Sequence, residues 1–211
     1  MDLLLSGNGG AAAGLSIQRQ KQIHHAYKNK IKALLLKKFG INNKYFLVVG
    51  NVDHRKQPHK IINAFNQLLK KNPNILLVFV GPNKLKIKSN KNIKILNYVH
   101  DDSLNFLYNG SIALIFLSLC EGFGLPIVEA MATKIPVICN DIPVFQEVAD
   151  RSALFVKNEQ KLYQAMKKVF ENKNLRIKYS NLCYQRSQFF SWDKTAKETI
   201  KVYQRVLERK I

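Results

Sequence analysis

The chain has 211 residues, 46% of them hydrophobic, and a net charge of +20 from 34 Lys and Arg against 14 Asp and Glu. That length supports one domain with a proper core, and the composition excludes a disordered tail, a collagen-like repeat and a disulfide-framed mini-protein. Residues 1–100 carry 18 basic residues against Asp2 and Asp53, net +16, and the remainder is net +4. Lys outnumbers Arg 27 to 7, which favours diffuse attraction to an anionic surface over bidentate reading of bases. A simple compositional bias toward lysine and asparagine is an equal alternative, and nucleic acid is not the expected partner.

Residues 6–14 are small and read as flexible; no strand precedes them and their glycine spacing is wrong for a phosphate loop. Residues 16–38 read as a basic helix with a partial apolar stripe from Ile17 to Leu35. Its stripe suits packing on the domain or, alternatively, an anionic membrane. From residue 45 strands and helices alternate. Strands are predicted at 45–50, 74–81, 93–98, 111–117, 136–139 and 153–156. Helices are predicted at 58–71, 101–108, 125–133, 144–149, 159–171, 174–189 and 193–209, with Asp101 or Asp102 as a cap. Continuous apolar strands between helices imply an α/β fold: a Rossmann-like parallel sheet with helices on both faces. The expected division is a flexible segment 1–15, a basic helical segment 16–39, and a Rossmann-like domain 40–211.

Three cysteines without close pairing argue against disulfides. Cys120 and Cys139, at the ends of apolar runs, are expected as small buried hydrophobes. No metal-ligand spacing appears, and the adjacent His24 and His25 read as solvated. Asn109-Gly110-Ser111 reads as a turn before a strand rather than a used glycosylation site. The first six residues lack the basic flank and apolar length of a signal peptide, and the run from Ile112 is about half a membrane span. A cytoplasmic chain is expected, with peripheral contact at an anionic membrane surface left open.

Ligands of parallel sheets bind outside the carboxyl ends of the strands. The turn after Leu117 reads Cys-Glu-Gly-Phe-Gly-Leu-Pro-Ile-Val-Glu-Ala-Met over residues 120–131. Gly122 and Gly124 permit close backbone approach, and Pro126 suits a helix start. The N–H groups of residues 124–128 are then expected to face an anion, with Glu121 and Glu129 flanking it and suited to sugar and ribose hydroxyls. The turn after Gly50 supplies Arg55-Lys56, a pair able to neutralise a diphosphate without metal. No Asp-x-Asp motif occurs, which speaks against a metal-held diphosphate.

Residues 121–132 resemble the E-x7-E signature of GT4-type retaining glycosyltransferases with the GT-B fold. Residues 45–56, 99–117, 136–156 and 190–193 follow the same pattern. The resemblance implies a site for a nucleotide-sugar donor, with no separate cofactor and no metal. Glu121 would hold the sugar hydroxyls as a catalytic residue, and the backbone from Gly122 through Phe123, Gly124 and Leu125 would meet the sugar and β-phosphate. Arg55 and Lys56 would grip the diphosphate as catalytic cations, Glu129 would bind the ribose, and Tyr98 and Val99 would border the base. The family often has Arg where Asn51 stands, which implies a weaker grip.

The resemblance covers only the carboxyl-terminal, donor-binding half of such an enzyme; residues 1–40 are too short for an acceptor domain. Two functions follow as expectations. One is a glycosyltransferase, or its donor-binding subunit, working with a separate acceptor-domain chain. The other is a nucleotide-sugar-binding module, or an incomplete fragment, without turnover of its own.

Overall fold

The computed structural model describes residues 36–208. The predicted segment 1–15 and nearly all of segment 16–39 lie outside these residues. A helical turn at 36–38 ends on Gly40, whose left-handed backbone lets the Ile41 N–H donate to the Leu36 carbonyl at 2.8 Å.

Six strands form one parallel sheet: β1 (Tyr45–Val49), β2 (Leu76–Val80), β3 (Ile93–Leu96), β4 (Leu114–Phe116), β5 (Val137–Asn140) and β6 (Ala153–Val156). Their order is β3-β2-β1-β4-β5-β6, so the direction of winding reverses between β1 and β4. That point is where an open α/β sheet forms a crevice. The helices are α1 (Pro58–Leu69), α2 (Asp101–Gly110), α3 (Leu125–Ala132), α4 (Pro143–Ala149), α5 (Glu159–Glu171), α6 (Lys173–Ser187) and α7 (Trp192–Glu208).

All five residues of both β1 and β2 are buried. Alternate side chains therefore enter two separate cores, as a sheet covered on both faces requires. Tyr45, Leu47 and Val49 meet Leu107 of α2, Ile127 and Met131 of α3, Phe145 of α4 and Cys183 of α6. Phe46 and Val48 meet Ile61, Phe65 and Leu68 of α1 and Leu162, Met166 and Val169 of α5. The register runs Tyr45↔Leu76 through Val49↔Val80 on one side of β1 and Leu47↔Leu114 on the other.

The carboxyl ends of β1 and β2 nearly touch. A methyl group on Gly81, at φ +133°, would sit 2.3 Å from the Gly50 carbonyl oxygen, so only glycine fits there.

Several local expectations change. His100, not Asp101 or Asp102, caps α2, and both aspartates fall in its first turn. There they complement the helix dipole instead of bonding its end as caps. Asn109 and Gly110 are the last residues of α2, with Ser111 as its cap, so the sequon lies on a helix end rather than a turn before the strand. Cys139 and Cys183 are buried, but Cys120 is exposed. The apolar run that places Cys120 indoors stops at Leu117 and Ser118; the chain then turns outward at Leu119. Among the described residues no helix is long and apolar enough to cross a membrane.

Candidate nucleotide site at the sheet crossover

The turn after β1 begins with Gly50 and Asn51, and Val52 makes a parallel bridge to Asn83. Asp53 then caps a single 3-10 turn, His54–Lys56, its side chain accepting from the Lys56 N–H at 3.2 Å. This turn aims Lys56 back across the sheet edge and leaves Arg55 half exposed. From β4 the chain enters Ser118, fully buried, and then the loop carrying Glu121. The two loops are stitched together by the Leu119 N–H donating to the Arg55 carbonyl at 3.0 Å.

Arg55, Lys56 and Glu121 meet at this crossover. Lys56 Nζ donates to Glu121 Oε1 at 2.6 Å, and Ser118 Oγ donates to the same oxygen at 2.7 Å. Arg55 Nη1 pairs with Oε1 as well and donates to the Cys120 carbonyl at 3.0 Å. Among the described residues no donor reaches Oε2. Lys56 is 6% exposed, with its ammonium 3.6 Å from the centroid of the Phe116 ring, a cation–π contact that offsets part of its desolvation. Asn140, at the end of β5, accepts the Ser118 N–H at 2.7 Å and so fixes the start of the loop.

Burial alone would raise the Glu121 pKa. The hydrogen bonds from Lys56 and Ser118 and the charges of Lys56 and Arg55 outweigh it and hold the carboxyl below its usual value. Lys56 is pushed the other way: burial lowers its pKa, and the opposing pull of Glu121 does not fully restore it. The ammonium is the more deeply buried partner, so desolvation weighs more on it.

Gly124 caps α3 in the left-handed region, at φ +93°. A side chain there would meet the Phe145 ring at 3.1 Å. Leu125 opens the helix and Pro126 is its second residue, one place later than expected. The Ile127 N–H already donates to the Gly124 carbonyl at 2.9 Å and proline has none. Pro126 and Ile127 therefore drop out of the donor set expected over 124–128, while the N–H groups of Gly124 and Leu125 find no acceptor among the described residues. Gly122 has open space where its side chain would be. The side chains of Phe123 and Leu125 point away into an apolar groove of about 730 Å³ shared with Val128, Phe190, Trp192 and Val202, where Phe123 stacks edge-on against Phe190 at 5.6 Å.

Glu129 is half-buried on α3 and accepts from the Tyr108 hydroxyl at 2.8 Å. Burial raises its pKa, the Tyr108 hydrogen bond opposes this, and the negative charge of Asp101 adds to it. Asp101 opens α2 directly after the turn that follows β3. That turn holds Val99, buried, and Tyr98, which is 82% exposed. Among the described residues no three His, Cys, Asp or Glu side chains cluster as a bound metal would require.

Of the residues singled out by sequence, Asn51, Arg55 and Lys56 lie in the turn after β1, Tyr98 and Val99 in that after β3, Glu121 to Gly124 in that after β4, and Leu125 and Glu129 on α3. The arrangement differs in one respect: Glu121, Arg55 and Lys56 are bonded to one another, whereas the sequence reads them as separate contacts to a ligand. Ser118, Asn140, Phe116 and Tyr108 support the site and were not singled out. Asn140 ends β5 and Ser118 lies two residues beyond β4 on this same sheet edge, and that position is the signal that reveals them.

A six-stranded parallel sheet with helices on both faces and polar groups at its crossover is a Rossmann-like domain. The chain belongs to the family Glycosyl transferases group 1, whose model matches residues 24–186. It is 37% identical over 125 residues to the serotype-specific mannosyltransferase WbdA of Escherichia coli, covering 54% of this chain and 15% of WbdA. It is 34% identical over 139 residues to the O-antigen chain mannosyltransferase RfbU of Salmonella typhimurium, covering 60% of this chain and 38% of RfbU. The crystal structure of Anabaena Alr3699/HepE in complex with UDP and glucose superposes with a TM-score of 0.70 at 18% identity, over 82% of this chain and 51% of that one. The chain therefore spans well under two thirds of these relatives.

Proposed function

We propose that this chain binds the nucleotide-diphosphate sugar donor of a retaining, metal-independent glycosyltransferase. The observation that carries the reading is the convergence of Arg55 and Lys56 at the crossover, beside the amino terminus of α3. Two cations and two free N–H groups there can take a diphosphate without a metal. Glu121, held ionised, has Oε2 free to accept from sugar hydroxyls, and Glu129 serves the ribose. In transfer, the bond from the anomeric carbon to the β-phosphate oxygen breaks and the electron pair leaves with the nucleoside diphosphate. Arg55, Lys56 and the α3 terminus stabilise the charge that develops there. The acceptor hydroxyl forms the new bond on the same face and gives its proton to the departing β-phosphate oxygen.

The UDP and glucose in HepE and the mannosyl transfer named for WbdA and RfbU support this reading, and a mannosyl nucleotide is the first donor to test. The acceptor site belongs to a second domain, in the same polypeptide or a separate chain. The unbroken run without acids from His54 to His100, with exposed Lys84, Lys86, Lys88 and Lys91, suits an anionic partner, and a membrane surface is the one we favour.

Calorimetric titration with UDP- and GDP-sugars, in chelator, should give micromolar binding. Absence of binding to every common nucleotide sugar refutes the reading. Binding without transfer by the purified chain assigns it as a donor-binding module; transfer excludes that alternative.

A further inference from the structure

The donor-site reading leaves one buried group unexplained. Tyr108 is 1% exposed, yet its hydroxyl donates to Glu129 Oε2 at 2.8 Å. Its neighbour in α2 is pinned as well: Tyr45 of β1, also 1% exposed, donates its hydroxyl to the Leu107 carbonyl at 2.6 Å. Two tyrosines in series thus tie the Glu129 carboxylate to β1, the strand that leads into the Arg55–Lys56 turn. Among the described residues no donor reaches Glu129 Oε1.

We propose that Tyr108 is a positioning residue for nucleotide recognition: it holds Glu129 Oε2 and thereby presents Oε1 to the ribose 2′- and 3′-hydroxyls. This rests on the donor-site reading above. Tyr108 is too deeply buried to touch a ligand and acts through Glu129 alone. A carboxylate oriented in this way distinguishes ribonucleotides from deoxyribonucleotides, because a ligand without the hydroxyl leaves a half-buried acceptor unpaired.

The interaction also bears on charge. To accept from both hydroxyls, Glu129 must be ionised. Burial opposes ionisation, Asp101 at the start of α2 opposes it further, and the Tyr108 hydroxyl favours it. Among the described residues, these two groups of α2 are the titratable ones acting on Glu129. Removing the hydroxyl therefore raises the pKa of Glu129, and the loss of ribonucleotide affinity in acid begins at a higher pH.

The test uses the full chain, its Tyr108→Phe variant, which keeps the packed ring, and Glu129→Ala. Calorimetry with UDP, GDP and their 2′-deoxy forms is run from mildly acidic to mildly basic pH. The wild type is expected to prefer the ribonucleotide about tenfold, Glu129→Ala to lose the preference, and Tyr108→Phe to lose about threefold or more of it. The acid limb of Tyr108→Phe should move upward, and carbon-13 NMR of the Glu129 carboxyl, read on the folded variant, should titrate at higher pH. A Tyr108→Phe variant with wild-type preference and an unmoved acid limb overturns the role of Tyr108 while the donor site stands. No nucleotide binding by the wild type overturns the donor-site reading and this role together.

Discussion

Replacing Lys56 by methionine removes one cation from the crossover while keeping an unbranched stem beneath Phe116. At the observed 2.6 Å, the attraction between Lys56 and Glu121 is ~6 kcal/mol at an effective dielectric constant of ~20. Desolvating an ammonium that is 6% exposed costs several kcal/mol in the other direction. Burial and the charge of Arg55 pull the Lys56 pKa down against the pull of Glu121, and Glu121 retains Arg55 and Ser118 when Lys56 is gone. The two terms nearly cancel, so the stability of the fold should change by no more than about 1 kcal/mol in either direction, a melting shift within about 4 °C. Diphosphate binding has no such cancellation. It loses a charge-assisted hydrogen bond of about 1.5–3 kcal/mol, and affinity should fall roughly 10- to 100-fold. The pair of measurements is a thermal melt and a calorimetric titration with a nucleoside diphosphate. A large loss of stability with unchanged affinity would refute the reasoning and make Lys56 a structural residue.

Glu121→Gln leaves both cations unneutralised, so bare pyrophosphate or nucleoside diphosphate should bind several-fold more tightly while the further affinity contributed by the sugar falls; parallel titrations with and without the sugar check this, and a uniform loss would contradict it. Because the folded pKa of Glu121 is depressed, its contribution to stability is fully present above the unfolded carboxyl pKa. It is lost as the pH falls through the lower folded value, and acid unfolding curves of wild type and Glu121→Gln should converge there. Gly81→Ala must push a methyl against the Gly50 carbonyl at an unfavourable φ; a loss of about 3 kcal/mol in denaturant unfolding is expected, and a loss below about 1 kcal/mol would show that the β1 and β2 ends part easily. Reversing Lys84, Lys86 and Lys88 to Glu should abolish co-sedimentation with anionic vesicles at low salt, neutral vesicles serving as the control. Equal binding of wild type and variant would show that these lysines do not carry the contact, and no binding by the wild type would remove the membrane from the list of partners.

The fold was largely legible because its strands are apolar on both faces. The runs at 74–81 and 136–139 contain β2 and most of β5, and the spans 153–156 and 159–171 match β6 and α5. The strand expected over 111–117 is only Leu114–Phe116, since Ser111 still caps α2 and the backbone turns at Ser118. The glycines and cations of the site were also visible, as each lies in a turn at a strand's carboxyl end. Their mutual pairing was not, because it depends on β1 and β4 being neighbours, and strand order leaves no mark on local pattern. Tyr108 escaped for a related reason: within α2 it reads as one more apolar residue, and only the fold brings its hydroxyl to Glu129 of α3.

The bonds that join the two halves of the site span 65 and 66 residues of chain. Separations of that size carry a loop-closure cost that is met only when the central strands align. Helices α1 and α5 draw on local sequence and can form earlier. Refolding from denaturant should therefore recover helical circular dichroism before ligand binding returns. The crossover should therefore become competent after its flanking helices have formed, which makes ligand capture a sensitive reporter of folding beyond the helical stage.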